Sequence, residues 1–333
     1  MKNLVYKLLA IGIFGVFIMT HYAFSADHDK KDVVFKTYYE TGKLKTETTN
    51  KNGKRVAYKK YYETGQLSDD VTYAYSDGMV GTFKSYYESG TLSAEGTFKS
   101  KKEGKGIAKE GLNKEYHENG QLKIETMYKD GEHNGPDKTY YENGQLRSEG
   151  VYKNDKEDGP YKKYYENGQL QEEGAYKDGR LEGPLKAYYK NGGLKTEAEY
   201  KEGELEGQVK DYFENGKLRF EKTYKNGKSD GLFKAYYETG QLAAEGSVKG
   251  KTPNGPFKAY YENGQVMDEG THKNGKLEGL AKSYYENGQL REEAVYEDDI
   301  LNGWYKKYDE TGLLIEEGRY KNGKLEKGQR VNQ

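Results

Sequence analysis

Twelve lysines, twelve acids and twelve tyrosines stand at fixed offsets from twelve glycines: 42, 65, 90, 120, 144, 168, 192, 216, 240, 264, 288 and 312. With G for the glycine, a lysine always occupies G−6 (Lys138, Lys162, Lys186 and Lys234 among them). An acid always occupies G+5 (Glu149, Glu173, Glu197, Glu245). A tyrosine always occupies G−4, as at Tyr140, Tyr164, Tyr188, Tyr212, Tyr236, Tyr260 and Tyr284. An ammonium, a carboxylate and a phenol brought together once could exchange protons with a substrate. Brought together twelve times in identical slots, they read as a structural ladder, since a catalytic site would be a singular departure from the repeat.

Other chemistry is sparse. His21, His28, His117, His133 and His272 form no two-histidine cluster or metalloprotease motif. His117 and His272 stand in slots that hold tyrosine elsewhere, which reads as core substitution. With no cysteine, disulfides, thiolate metal sites and cysteine catalysis are excluded. Adjacent carboxylates such as Glu172 and Glu173 point to opposite faces of a strand and cannot act jointly as acid and base. The Lys177-Asp178-Gly179 turn lacks the several oxygen ligands calcium needs. No metal or other cofactor is expected. A net charge of −1, with an acid matching each lysine, supplies no field for nucleic acid.

The glycines position these groups. From Gly120 to Gly312 they recur every 24 residues, eight times over, within the phrase YYENGQL of Tyr164–Leu170. Such a period marks a repeat array in which each unit buries its apolar side against its neighbours. Charged residues make up 33% of the chain, but 35 tyrosines and 43 regularly placed glycines against 5 prolines argue for ordered strands over disorder. Apolar residues alternate and do not follow helical spacing. Each unit therefore reads as one β-hairpin plus a connecting turn. Asn167-Gly168 is the expected two-residue type I′ loop, and the NGK-x-x-G segment, as at Asn274–Gly279, is the connector.

That loop sets G−n opposite G+(n−1). Tyr165 then faces Leu170. The usually apolar G−7 residue covers a frequent glycine at G+6, as in Tyr161 over Gly174, and these join the G+8 tyrosines on one core side. On the other side Lys138–Glu149, Lys162–Glu173, Lys186–Glu197 and Lys234–Glu245 form a register ladder beside the G−4 tyrosine stripe, the candidate binding face. The fold class is all-β: an elongated single-layer array of about twelve tandem hairpins, roughly 110 Å long at the usual strand spacing.

Three segments depart from the period. Residues 1–25 combine Lys2 and Lys7, an apolar run from Leu8 to Met19, and the small residues Ala23 and Ser25 at −3 and −1 before Ala26, the layout of a secretory signal peptide. The run is short of a membrane span, so export with cleavage near Ala26 is expected, to the periplasm, cell surface or medium. The array is expected over 32–325, with a longer surface loop at 101–113 and a polar tail at 326–333.

Units of the form YYENGQLxxEGxYKNGKxxGPxKxYY resemble the MORN-repeat variant family, the bacterial relatives of membrane occupation and recognition nexus repeats. The resemblance spans about 32–325. It implies a β-hairpin array that binds or scaffolds a protein, here at the envelope, the surface or on a host. Bacterial members often carry a YwqK-type antitoxin label, and eukaryotic repeats are associated with membranes. The doubled tyrosine and the ENGQ turn depart from the ordinary unit and weaken any transfer of lipid binding. Cell-wall-binding aromatic repeats are a further comparison, but their cages need tryptophan and Trp304 is the only one.

Overall fold

The computed structural model describes residues 32–76, 78–101 and 106–330. Residues 1–31, and with them the expected signal peptide, lie outside the described part.

The two turns of each unit decide the topology, and the type I′ loop expected at Asn167-Gly168 lies instead at the connector. In the ENG turn only the glycine has positive φ (Gly168, 85°). The Gly168 N–H donates to the Tyr165 carbonyl at 2.8 Å, and the Tyr165 N–H to the Gln169 carbonyl at 2.8 Å. Glu166-Asn167-Gly168 is thus a three-residue loop, a type I turn followed by a left-handed glycine. The type I′ loop is the other one. Asn274 and Gly275 both have positive φ (52° and 87°), and Lys273 pairs directly with Lys276. The connector is itself a hairpin turn.

The corrected loop changes one pairing and spares the rest. Leu170 lies opposite Tyr164, not Tyr165. An irregularity between Lys163 and Tyr164 then takes up one residue, so Lys162 faces Glu173 and Tyr161 faces Gly174. The glycine at G−9 punctuates the strand after each connector, with φ of 138° at Gly159 and 81° at Gly183. A side chain there would be strained, which accounts for glycine in that slot from Gly135 to Gly303.

The result is a meander of strand segments, β1 (Val33–Tyr38) to β29 (Lys324–Arg330), with every pairing antiparallel among the described residues. Within it, β12 (Gly159–Tyr164) pairs with β13 (Leu170–Lys177), and β13 with β15 (Gly183–Tyr188) of the next unit. The expected loop at 101–113 is strand from Ile107 onward, because Ile107 to Lys109 extend the pairing with Phe98 to Ser100. The polar tail is likewise strand to Arg330, paired along β28 (Leu314–Lys321).

One sheet layer leaves little to bury. Among the described residues no large side chain is fully enclosed. Phe98, Ala108, Tyr161, Ala198, Val209 and Ala294 are buried, and all but Ala108 occupy G−7, G+6 or G+8, the side expected to hold the core. Rings do cover glycines there: a Cβ at Gly246 would stand 2.8 Å from Cε1 of Phe233 and 3.2 Å from Cβ of Phe257. Gly150 in the same slot has only Tyr161 Cβ at 3.6 Å. Gly246→Ala should therefore destabilise by about 1–3 kcal/mol through overpacking. Gly150→Ala should be neutral or stabilise by up to about 1 kcal/mol through chain entropy. Urea unfolding of the two variants checks the contrast, and equal effects would remove the ring-over-glycine explanation.

Candidate functional site: the lysine–glutamate–tyrosine face

Strand alternation puts G−8, G−6 and G−4 on one face of β12: Pro160, Lys162 and Tyr164. Across the hairpin, Lys162 Nζ lies 3.9 Å from Glu173, and Lys138–Glu149 and Lys186–Glu197 repeat this at 3.8 and 3.7 Å. Lys234 faces Glu245 in register. Each glutamate is also opposite the lysine of the next unit, Glu149 with Lys162 and Glu173 with Lys186. The row is continuous, lysine and acid alternating strand by strand. Each pair is largely exposed and worth under about 1 kcal/mol.

The tyrosine stripe closes onto this row. Tyr164 Oη donates to Glu149 at 3.0 Å, Tyr188 to Glu173 at 2.8 Å and Tyr212 to Glu197 at 2.9 Å. Tyr140, Tyr236, Tyr260 and Tyr284 do the same to Glu125, Glu221, Glu245 and Glu269. Every one of these rings is half-buried. The G−4 hydroxyls are thus engaged with the preceding unit and do not project freely.

The second tyrosine of each unit ties the next junction. Tyr165 Oη donates to the Tyr188 carbonyl at 2.8 Å, and Tyr189 to that of Tyr212 at 2.6 Å. His117 keeps the contact with Nε2 3.2 Å from the Tyr140 carbonyl oxygen. Phe213 occupies the same slot without a hydroxyl. At the type I′ turns, the Asn226 N–H donates to Glu206 and the Asn274 N–H to Asn254 Oδ1, each acceptor lying twenty residues earlier. Neighbouring units are joined at both turns and at mid-strand.

What remains exposed is a row that the sequence reading passed over. At G−8 stand Leu112, Pro136, Pro160, Pro184, Leu232, Pro256, Leu280 and Trp304, all exposed. Leu232 keeps 67%, Leu280 52% and Trp304 61% of its surface open. Between Pro160 and Pro184 the surface dips into a shallow depression walled by Lys162, Glu173, Ala175 and Lys186. The signal was legible as the GP, GL or GW pair that begins at each G−9 glycine from Gly135 to Gly303 except Gly207, where Gln208 follows and interrupts the apolar row. An apolar residue two places from the ladder lysine falls on the ladder's side of the sheet. Among the described residues, no three acids or histidines cluster as a metal site.

The MORN repeat variant model matches ten stretches of the chain: 31–52, 79–100, 109–130, 134–154, 157–178, 181–202, 205–226, 229–249, 253–274 and 277–298. The chain belongs to the MORN repeat variant family. Both the family expectation and the all-β hairpin-array expectation are borne out. Two solved structures are similar in part. "Crystal Structure of TcdB2-TccC3-TEV" is 11% identical with a TM-score of 0.18, covering 86% of this chain and 20% of that one. "Crystal Structure of TcdB2-TccC3 without hypervariable C-terminal region" is 11% identical with a TM-score of 0.14, covering 86% and 22%. The chain spans about a fifth of the length of either. No curated protein matches it.

The phenols carry a pH dependence. Burial first, and then the bond to a glutamate, push Tyr164, Tyr188, Tyr212, Tyr236, Tyr260 and Tyr284 up to about 12. The ordinary value is about 10. The folded chain holds these protons more tightly than the unfolded one, so their contribution is complete below pH of about 10 and is lost as pH climbs toward about 12. A late step in phenolate absorbance, a part of the signal of the 35 tyrosines, should coincide with loss of β-sheet circular dichroism. Absorbance that shows no late step while the sheet unfolds would contradict the hydroxyl–carboxylate assignment.

Proposed function

We propose that this MORN-variant array is an exported, non-enzymatic scaffold that binds a protein partner through the lysine–glutamate–tyrosine face, with the exposed G−8 row as its apolar contact. The observation that carries the reading is this row of Leu, Pro and Trp side chains in an otherwise charged chain. Apolar and aromatic residues framed by paired charges are the composition of a protein-binding surface. Repetition adds to it, since many weak contacts on one rigid frame accumulate affinity.

The partner is a protein whose surface is itself apolar and mixed in charge. An anionic membrane would call for a surplus of lysine, whereas each ladder lysine here faces an acid. The G−4 tyrosines support the surface as its half-buried floor and supply ring area beside the ladder. Export rests on the basic and apolar start of the chain and the small residues before Ala26. An antitoxin role would require retention beside a cytoplasmic toxin.

Capture from an envelope fraction tests the surface. The Leu232→Glu, Leu280→Glu double variant should lose the captured protein by tenfold or more, about the 1–3 kcal/mol carried by buried apolar anchors. Its circular dichroism should stay that of the parent. Emission of the lone Trp304 should shift to the blue on adding the purified partner to the parent. Undiminished capture by the double variant sinks the proposed surface, and an intact Met1 on the cellular protein sinks export.

A further inference from the structure

Asn-Gly occurs in both turns of the repeat, and the two turns treat the asparagine side chain in opposite ways. In the ENG turn it is held at both ends. Asn143 Oδ1 accepts from the Gln145 N–H at 2.9 Å, and its Nδ2 donates to the Glu166 carbonyl of the next unit at 3.2 Å. Asn215, Asn263 and Asn287 repeat both bonds, with Nδ2 contacts of 3.0, 2.9 and 2.9 Å. The following glycine N–H is also occupied, Gly144 donating to Tyr141 and Gly264 to Tyr261 at 2.9 Å.

In the type I′ turn the side chain is free. Asn226, Asn274 and Asn322 use their backbone N–H groups, but their carboxamides have no hydrogen-bond partner among the described residues. Their glycine N–H groups are held by the preceding unit: Gly227 donates to Leu205, Gly275 to Pro253 and Gly323 to Leu301. At the first such turn, Asn52-Gly53, neither the carboxamide nor the glycine N–H has a partner among the described residues, and both residues are exposed.

We infer that the type I′ turns are sites of spontaneous asparagine deamidation, graded along the array, and that the ENG turns are protected from it. The reaction needs only water. The glycine backbone nitrogen attacks the asparagine Cγ, the side-chain amide leaves as ammonia, and a five-membered succinimide forms. Water then opens that ring at either carbonyl to give aspartate or its β-linked isomer. The net change is one water taken up, one ammonia released and one negative charge gained. Attack requires the carboxamide to turn toward the glycine nitrogen. Two hydrogen bonds oppose this in the ENG turn, and none opposes it at Asn226, Asn274 or Asn322.

The products differ in what the fold tolerates. Aspartate already occupies this turn position at Asp130 and Asp178, with φ of 56° and 50°, so that product keeps the hairpin. The β-linked isomer adds a backbone carbon to a two-residue loop and breaks the match between loop length and strand pairing. Deamidation would thus add charge along the type I′ edge and loosen its turns one at a time.

Peptide mapping by mass spectrometry of the full chain, held folded at mildly alkaline pH, reads each site separately. Asn226, Asn274 and Asn322 should convert about tenfold faster than Asn143, Asn215, Asn263 and Asn287, the factor set by breaking two modest hydrogen bonds. Asn52 should be fastest. In urea the difference should collapse, since every site is then an unrestrained Asn-Gly pair. Equal rates in the folded chain, or a difference that survives unfolding, would overturn the assignment.

Discussion

The glutamate at G+5 is the constraint on which the array depends. It accepts the tyrosine hydroxyl of the following unit and lies between the lysines of its own unit and the next, as Glu173 does with Tyr188, Lys162 and Lys186. A single sheet layer has no second layer to fix its register. A one-residue slip would carry every lysine onto the face of the rings. Each ion pair alone is weak, but a carboxylate bonded to a tyrosine and flanked by two lysines penalises every slipped register at once. The G−3 tyrosine and the turn-to-turn bonds extend this to the edges of the sheet. Stability here is thus nearest-neighbour coupling more than core burial.

Much of this was legible in the sequence. The period gave the architecture, and the fixed offsets of lysine, acid and tyrosine gave the contents of each face. The turn types were misread because Asn-Gly fits two loops. It supplies both positive-φ residues of a type I′ turn at Asn274-Gly275, but only the last residue of a three-residue loop at Asn167-Gly168. The ladder register nevertheless follows from the wrong loop, because the irregularity beside Tyr164 takes up the residue that the longer loop displaces. Tyr165 could not be placed, since its partner, the Tyr188 carbonyl, lies one unit away. The G−8 row was missed because proline, leucine and tryptophan do not look like one slot until the structure shows them all exposed.

The two faces divide the work of the protein. One carries rings over glycines and holds the little apolar burial available. The other carries a charge-neutral ladder with an apolar row beside it, on a frame whose tyrosines are already committed to holding units together. Among the described residues no unit stands out as a singular site, which suits recognition spread over length better than chemistry at a point. For the same reason the proposed binding surface and the stabilising ladder are nearly coextensive, so a substitution meant to test one must leave the hydroxyl–carboxylate bonds of the other in place.

Hydrogen exchange along the full folded chain tests the central claim, that junctions between units and not a common core hold the array. The Phe213 junction lacks the hydroxyl that its neighbours supply, so amides of Leu218–Lys225 and Lys228–Tyr236 should exchange faster than their counterparts one unit to either side. Phe213→Tyr should restore their protection by roughly tenfold, the worth of one hydrogen bond. Uniform protection across that junction, unchanged by the added hydroxyl, would contradict the account.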